Sequence, residues 1–238
     1  RQMCIRDSKN GEENIQNHIE NRFRDIGYTV KSKILYASDF GVPQRRNRLF
    51  IVGNRNGIDF EFPKEFDYSV SVDEAISDLP VLGNGEIQMK GEYTVPFEQA
   101  SPYAQLMRKK SKAPTQNIVS RNKDYVVERY KYIGQGENWS SIPDRLMENY
   151  ADKKRCHSGI YKRLIGGKPS VVISNYRKSM LIHPHQDRGL SVREAARLQS
   201  FPDHFIFEGP VSYVQQQIGN AVPPLLAKAV MKKILTYK

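Results

Sequence analysis

Apolar residues recur at helical spacing near the start of the chain. Ile15, Ile19, Phe23 and Ile26 are separated by three or four positions, and Gly27 follows the last of them. Residues with this spacing share one face of an α-helix, and glycine commonly follows a helix C-terminus. The pattern predicts an amphipathic helix that ends at about residue 26.

Two strands are predicted directly after this helix. Between residues 28 and 36, apolar and aromatic residues alternate with polar ones, which is typical of a half-buried strand. Residues 49–52, with the sequence LFIV, form a short apolar run suited to a buried strand. Helix, strand, loop and strand in this order fit the end of an α/β sheet, which we assign to residues 9–63.

The pattern becomes irregular between residues 64 and 186. This region is polar and aromatic, and it is rich in Tyr, Lys and Asn. Ser71 and Glu74 have the spacing of a helix capping box, which predicts a short helix that ends near Pro80. For the rest of the region we expect a small, irregular, mostly β domain of short strands and long loops.

Regular patterning returns in residues 187–238. Ser191 and Glu194 have the spacing of a second capping box, and the helix that they begin should end before Phe201-Pro202. Pro223-Pro224 predicts the start of a final helix. The predicted buried face of this helix consists of Leu226, Ala229, Val230 and Ile234.

The charge balance is consistent with a polyanionic partner. The chain has 37 Lys and Arg residues against 26 Asp and Glu residues, a formal net charge of +11 and a pI of about 9.6. Eight basic residues and no acidic residue lie between Lys153 and Lys178. A second basic run comprises Arg108, Lys109, Lys110 and Lys112. Cations that contact phosphates release condensed counterions, so nucleic acid fits this balance, and so does a soluble protein with a basic surface.

Other features limit the class of protein. The two cysteines, Cys4 and Cys156, make no disulfide framework or metal-ligand spacing and fit a reducing compartment. No apolar stretch of 18 residues and no signal peptide is visible, so we expect a cytoplasmic protein without a membrane span. Residues 1–8 do not begin with Met and show no periodicity, and we expect a non-native or disordered start to a chain truncated at its front.

Two short motifs suggest chemistry that we reject. Cys156-His157 lacks an accompanying carboxylate or oxyanion motif, so we do not interpret it as a nucleophile. His183-Pro184-His185 lacks further ligands at metal-binding spacing and is interpreted as a loop. No metal site is predicted.

Three blocks of residues are more specific. Residues 44–48, QRRNR, place donors on the loop between the predicted strands, where two guanidinium groups on one strand face would suit a phosphate or a carbonyl oxygen. A solvated basic turn is the plainer interpretation. Residues 191–203, SVREAARLQSFPD, predict a capped helix with a proline stop. Residues 217–224, QIGNAVPP, predict a tight turn before a helix whose free N–H groups would favour a carboxylate.

In this order, the three blocks resemble the closing motifs of DNA cytosine-5 methyltransferases. The resemblance covers about residues 11–238 and implies an α/β fold, namely the C-terminal portion of a Rossmann-like, S-adenosylmethionine-dependent methyltransferase. Residues 64–186 would be its target-recognition domain. By matching positions, Gln44 and Arg46 would contact the DNA backbone near the target. Arg48 would approach O2 of the flipped-out cytosine and orient the catalytic glutamate.

The resemblance also implies a cofactor and a partner. Asn220 and Ala221 would contact S-adenosylmethionine near its amino-acid end. Many relatives carry Ser where this chain has Ala221, so that only backbone contact would remain there. The partner is double-stranded DNA, which the basic residues of the recognition domain would hold. The residues expected to do so are Arg163, Lys168, Arg177 and Lys178.

The family's catalytic nucleophile is not found in this sequence. It contains no Pro-Cys dipeptide, and the Gly-rich cofactor loop and Glu-Asn-Val motif are also absent. We therefore expect a C-terminal fragment that does not methylate DNA alone and whose missing N-terminal half belongs to the same chain or a separate subunit. The alternatives are the DNA-recognition subunit of a split methyltransferase and a non-catalytic DNA-binding protein. The motif order argues against an unrelated RNA-binding protein. The resemblance suggests a bacterial or phage protein associated with the nucleoid.

Overall fold

The computed structural model describes residues 9–10, 13–148, 159–174, 176 and 180–237. The helices are α1 (Ile15–Asp25), α2 (Val72–Ile76), α3 (Pro102–Arg108), α4 (Asp124–Tyr130), α5 (Val192–Leu198), α6 (Val211–Asn220) and α7 (Pro224–Leu235). The strands are β1 (Lys9–Asn10), β2 (Glu13–Asn14), β3 (Thr29–Tyr36), β4 (Asn47–Asn54), β5 (Ile87–Lys90) and β6 (Thr115–Ile118). They pair antiparallel as β1–β2, β3–β4 and β5–β6. The expectation for residues 1–8 lies outside the described residues.

The first helix and the following hairpin form where the pattern predicts them. α1 is followed by Gly27 at φ +86°, a left-handed conformation that glycine adopts at little cost. All eight residues of β3 pair with the eight residues of β4. Glu20 on α1 accepts a 2.5 Å hydrogen bond from Ser32 Oγ on β3 and forms a 2.7 Å ion pair with Arg24. The bond from Ser32 connects the helix to the hairpin, and the ion pair with Arg24 lies within the helix.

The burial predicted for residues 49–52 is wrong. All four residues are half-buried, although their apolar run predicts a fully buried strand. The described part of this sheet has two strands; α1 packs beside β3, and α7 contacts the hairpin at Leu35 and Phe50. So little neighbouring structure cannot cover both faces of β4.

The last helix packs against the chain that joins β3 to β4. Leu226 and Val230 on α7 are buried in one apolar cluster with Leu35, Phe40 and Val42. Partly buried members of the same cluster include Ala229 and Ile234. The predicted buried face of the final helix is therefore confirmed, and α7 packs against residues 35–42.

The middle region contains less strand than predicted. Between residues 64 and 186, the described strands are β5 and β6, with four residues each, whereas α2, α3 and α4 are helices. The expectation of a mostly β domain is wrong for the described residues, and its irregular character is confirmed. The largest apolar cluster crosses the predicted boundary at residue 186, since it joins Val72 and Met107 to Leu198 and Ile218. Residues 64–186 therefore share a core with the segment that follows.

Both predicted capping boxes are present. Ser71 Oγ accepts a hydrogen bond from the Glu74 amide, and the Glu74 side chain accepts from the Ser71 amide. Ser191 and Glu194 form the same reciprocal pair at α5. All seven residues of α5 are buried, including two arginines and one glutamate. Buried charges are costly unless they are paired, so their partners decide whether this helix is stable.

Ion pairs neutralise Glu194 and Arg197 of α5, whereas Arg193 donates to the backbone carbonyl groups of residues 115, 202 and 205. Arg197 contacts Asp203 at 2.6 Å and Asp78 at 2.8 Å, and all three side chains are buried. Arg188 makes two bonds of 2.7 and 2.9 Å to Glu194. Burial would raise the pKa of Glu194, but Arg188 outweighs it and lowers that pKa to about 2. The paired charges tie α5 to α2 and to the flanking loops.

Candidate functional site

Residues 44–48 alternate between the protein interior and the surface. Gln44 and Arg46 are completely buried, whereas Arg45 and Asn47 are exposed. The Arg45 amide donates to Ser170 O at 2.8 Å, and the Ser170 amide donates to Pro43 O at 3.0 Å. This short parallel bridge holds the loop extended, so its side chains alternate as in a strand.

Gln44 is bonded inside the protein. Its Nε2 donates to Gln199 Oε1 at 2.8 Å and to Leu198 O at 3.2 Å, while its Oε1 accepts from the Ile173 amide at 3.1 Å. Gln199 Nε2 in turn donates to Ile218 O at 2.7 Å. Two side-chain amides thus connect the loop to α6.

Arg46 makes a second connection to the same helix. Its Nη2 donates to Gly219 O at 2.7 Å, while its Nε and Nη1 are buried and have no hydrogen-bond partner among the described residues. A cation at the last turn of a helix is favourable, because the free carbonyl groups there carry partial negative charge. The expectation that Gln44 and Arg46 contact DNA does not agree with their complete burial. Long-range acceptors on α5 and α6 draw both side chains inward.

Arg48 lies at the start of β4 and is half-buried. Its Nη1 donates to Asn47 O at 2.9 Å. β4 begins at Asn47, so Arg46 precedes the strand. Of the three residues predicted to be catalytic, Arg48 is the one whose side chain reaches the surface.

Asn220 and Ala221 end α6 and do not form the predicted tight turn. Asn220 is the last residue of the helix and is exposed, and the Ala221 amide donates to Gln217 O at 3.1 Å. Two groups of these residues can bond a ligand: the side-chain amide of Asn220 and the backbone carbonyl group of Ala221. Both can bond the polar groups of a cofactor, so these residues fit that role.

The start of α7 does not offer the free N–H groups that the sequence predicts. Pro223 and Pro224 carry no N–H, and the Leu225 amide donates to Ser200 Oγ at 3.1 Å. Ser200 is buried and has φ +64°, a conformation uncommon for a residue with a side chain. The start of α7 therefore has few of the free N–H donors that were predicted to bind a carboxylate.

Gly219 lies against another backbone segment. A Cβ atom at this position would lie 1.8 Å from Ser174 O, which is far inside van der Waals contact. Glycine is therefore required where the end of α6 crosses residues 173–174, close to the Gln44 and Arg46 contacts.

The residues predicted to bind DNA differ in their placement. Arg163 is buried and donates to Tyr130 O, Ile133 O and His183 O and to the carboxylate of Asp187. This placement does not support the predicted contact of Arg163 with DNA, since internal acceptors occupy its guanidinium. Lys168 is exposed. Arg177 and Lys178 lie outside the described residues.

His183 and His185 each lie close to a carboxylate of the protein. His183 is buried 3.7 Å from Glu194, and burial lowers its pKa to about 4. His185 Nε2 lies 2.8 Å from Asp73 Oδ1. Within the described residues, no group of three or more His, Cys, Asp or Glu side chains could hold a metal ion. No helix in this part of the chain has the length and apolar character needed to cross a membrane.

Sequence reasoning missed four residues of this region. Gln199, Ser200 and Gly219 connect the three blocks, and Arg45 is the exposed arginine of the loop. Strand alternation around Arg46 would have identified Arg45. No local signal marks Gln199, because its partners lie 155 positions before and 19 positions after it.

Residues 5–236 match the model of the family described as C-5 cytosine-specific DNA methylase. The chain belongs to this family. Members of the family use S-adenosylmethionine as methyl donor. The resemblance of the three sequence blocks is thus confirmed at the level of the family.

Several bacterial relatives are type II methyltransferases. The chain is 35% identical over 219 residues to the type II methyltransferase M1.HphI of Haemophilus parahaemolyticus, covering 91% of this chain and 50% of the relative. It is 33% identical to the type II methyltransferase M.DdeI of Desulfomicrobium norvegicum, covering 94% of this chain and 58% of the relative. The chain therefore spans about half the length of these relatives.

The fold is also found among solved structures. A protein encoded within an Escherichia coli prophage and classed as a DNA modification methyltransferase matches with a TM-score of 0.66 at 23% identity. The match covers 96% of this chain and 66% of that protein. At this identity, the similarity shows the methyltransferase fold.

Proposed function

We propose that this chain is the C-terminal part of a DNA (cytosine-5) methyltransferase. The complete enzyme would transfer a methyl group from S-adenosylmethionine to C5 of a flipped-out cytosine in a specific DNA sequence. The main support is the 2.7 Å bond between Arg46 Nη2 and Gly219 O, which joins residues 44–48, the arginine loop, to the segment that ends in Asn220 and Ala221. These are the two places at which the family motifs put cytosine and cofactor.

Arg48 is the proposed catalytic side chain of this chain. Its start-of-strand position and partial exposure support a role at the target base. A guanidinium near O2 of cytosine would stabilise the negative charge that develops in the ring when a nucleophile adds to C6. Gln44 and Arg46 would hold the loop that carries Arg48. The Pro-Cys nucleophile would come from the remaining part of the enzyme, so the chain alone is not expected to methylate DNA.

Asn220 and Ala221 would hold the cofactor. The exposed Asn220 amide can both donate and accept, and the Ala221 carbonyl can accept a hydrogen bond. S-adenosylmethionine supplies the methyl group when bound. The start of α7 offers few N–H groups. The carboxylate of S-adenosylmethionine would therefore be bound mainly by donors elsewhere in the complete enzyme.

DNA contact is proposed for the exposed cations beside the loop. Arg45 is bonded through its amide to Ser170 O, and Lys168 lies two residues before Ser170. Both side chains are exposed, and neither forms an ion pair with a described residue. Their proximity supports phosphate contacts by both, as a replacement for the buried Arg163. Arg177 and Lys178 remain proposed phosphate contacts.

DNA binding by the chain tests this assignment. The dissociation constant for a 20-base-pair duplex would be measured by fluorescence anisotropy at several salt concentrations. Each phosphate contact contributes about 0.9 to the slope of log K against log salt, so Arg45→Ala and Lys168→Ala should each reduce the slope by about that amount. Lys33→Ala is the control, because this exposed lysine on β3 forms an ion pair with Glu65. Equal slopes for all three variants would exclude Arg45 and Lys168 as phosphate contacts.

A further inference from the structure

Gln199 lies between the two halves of the site. It accepts a hydrogen bond from Gln44 Nε2 at 2.8 Å and donates one to Ile218 O at 2.7 Å. Its side chain is completely buried, as is that of Gln44. Buried polar groups are costly unless every one is bonded, so these bonds have little freedom to rearrange.

Two consecutive carbonyl groups at the end of α6 accept hydrogen bonds from side chains outside the helix. Ile218 O accepts from Gln199, and Gly219 O accepts from Arg46. The last four carbonyl groups of a helix have no partner within the helix. The side chains of Gln199, directly after α5, and of Arg46 therefore replace the partners that the end of α6 lacks.

Glutamine is suited to this position because one amide group accepts and donates at the same time. An apolar residue of the same length would break both bonds and leave Gln44 Nε2 and Ile218 O short of partners in the interior. Ser200, the next residue, bonds the Leu225 amide on α7. The pair 199–200 thus contacts the chain on both sides of Asn220 and Ala221.

We infer that Gln199 is a positioning residue that fixes the Asn220–Ala221 segment relative to the loop carrying Arg48. What these residues would hold, cofactor and cytosine, rests on the proposed function. The geometric claim is that a disturbance at Gln44 reaches the end of α6 through the Gln199 side chain.

Amide hydrogen exchange in the 238-residue chain tests the inference. Gln199→Met should accelerate exchange at positions 219–221 about tenfold beyond any change in global unfolding, because two buried hydrogen bonds are lost. Gln44→Met should accelerate the same amides in the wild-type background. In the Gln199→Met background, Gln44→Met should add little, since the connecting side chain is already gone.

Gln215→Met is the matched control. Gln215 is a buried glutamine on α6, and its Nε2 donates to Ser120 Oγ, away from the arginine loop. This variant should leave the effect of Gln44→Met at positions 219–221 unchanged. The inference is overturned if Gln199→Met alters exchange only through global stability, or if the effects of Gln44→Met and Gln199→Met simply add.

A kinetic measurement then separates the inference from the proposed function. In a complete methyltransferase containing this chain, Gln199→Met should raise the KM for S-adenosylmethionine more than Gln215→Met does. Absence of methyl transfer by the unmodified assembly would contradict the proposed function, and the exchange result would still decide the role of Gln199. Normal transfer with an unchanged KM would contradict positioning of the cofactor segment by Gln199.

Discussion

Arg197→Met removes a cation that two buried carboxylates share. Arg197 is completely buried and bonds to Asp203 at 2.6 and 2.7 Å, to Asp78 at 2.8 and 3.2 Å, and to Ala75 O at 2.9 Å. Methionine has a similar length and can fill the space, so the main effect is the loss of charge and hydrogen bonds. The two aspartates would remain buried without this partner.

The expected cost is large. Removing one partner of a buried ion pair costs about 3–5 kcal/mol, against a total stability of about 5–15 kcal/mol for a typical domain. For a chain of this size, each kcal/mol lowers Tm by about 2–4 °C, so we expect a decrease of about 6–20 °C. Lys131→Met is the control, because its ion pair with Glu128 is exposed to solvent and should contribute little to stability.

The pH dependence tests the charge argument separately. Burial would raise the pKa of Asp203, but Arg197 outweighs it and holds that pKa below its ordinary value. In the unmodified protein, this stabilisation is present above the unfolded pKa and is lost only as pH falls through the folded value. Without the guanidinium, burial is less opposed and protonation of Asp203 becomes easier, so the Tm deficit should narrow between pH 7 and pH 4.5. A Tm within 2 °C of the unmodified protein, or a deficit independent of pH, would refute the reasoning.

Three further changes have defined outcomes. Gly219→Ala should destabilise the chain by about 1–3 kcal/mol in urea unfolding, because its Cβ would collide with Ser174 O, whereas Gly167→Ala, with no atom within 4 Å, should have little effect. His183 has a pKa of about 4 because it is buried, so the unfolded state binds more protons between pH 6.5 and 4. The protein should lose about 2–3 kcal/mol on acidification through this range that His183→Gln does not lose; equal losses would contradict this assignment. Ser191→Ala should cost about 1–2 kcal/mol through loss of the α5 cap, and an unchanged urea midpoint would show that the cap is dispensable.

Local rules predicted four of the seven described helices and both strands of the β3–β4 hairpin. Spacing of apolar residues identified α1, and the capping boxes identified α2 and α5. Paired prolines identified the start of α7. These signals act within one or two helical turns, so the sequence alone contains them.

The environment of the basic residues could not be predicted in this way. Arg46 and Arg163 look like surface cations in the sequence, yet both are buried. The acceptor of Arg46 lies 173 positions away, and that of Gln44 on Gln199 lies 155 positions away. Burial of an arginine depends on such long-range partners, and spacing within a motif does not reveal them.

The family match and the structure give different information about the same motif. The resemblance to the family predicts residues 44–48 as a unit near the reacting base. The structure divides that unit into inward residues, Gln44 and Arg46, and outward ones, Arg45 and Asn47, with Arg48 between the two environments. From this division we propose a positioning role for the inward pair and contact with base or phosphate for the arginines at 45 and 48.

Methyl transfer to DNA tests the central claim most directly. This chain would be joined to the remaining part of a cytosine-5 methyltransferase, and transfer of labelled methyl from S-adenosylmethionine to cytosine C5 would be measured. The positive control is the same methyltransferase with its own C-terminal segment, joined at the same position. We predict labelled 5-methylcytosine with the unmodified chain, loss of most label with Arg48→Ala, and retention with Lys33→Ala. An active positive control beside a chain that transfers no methyl group would contradict the proposed function.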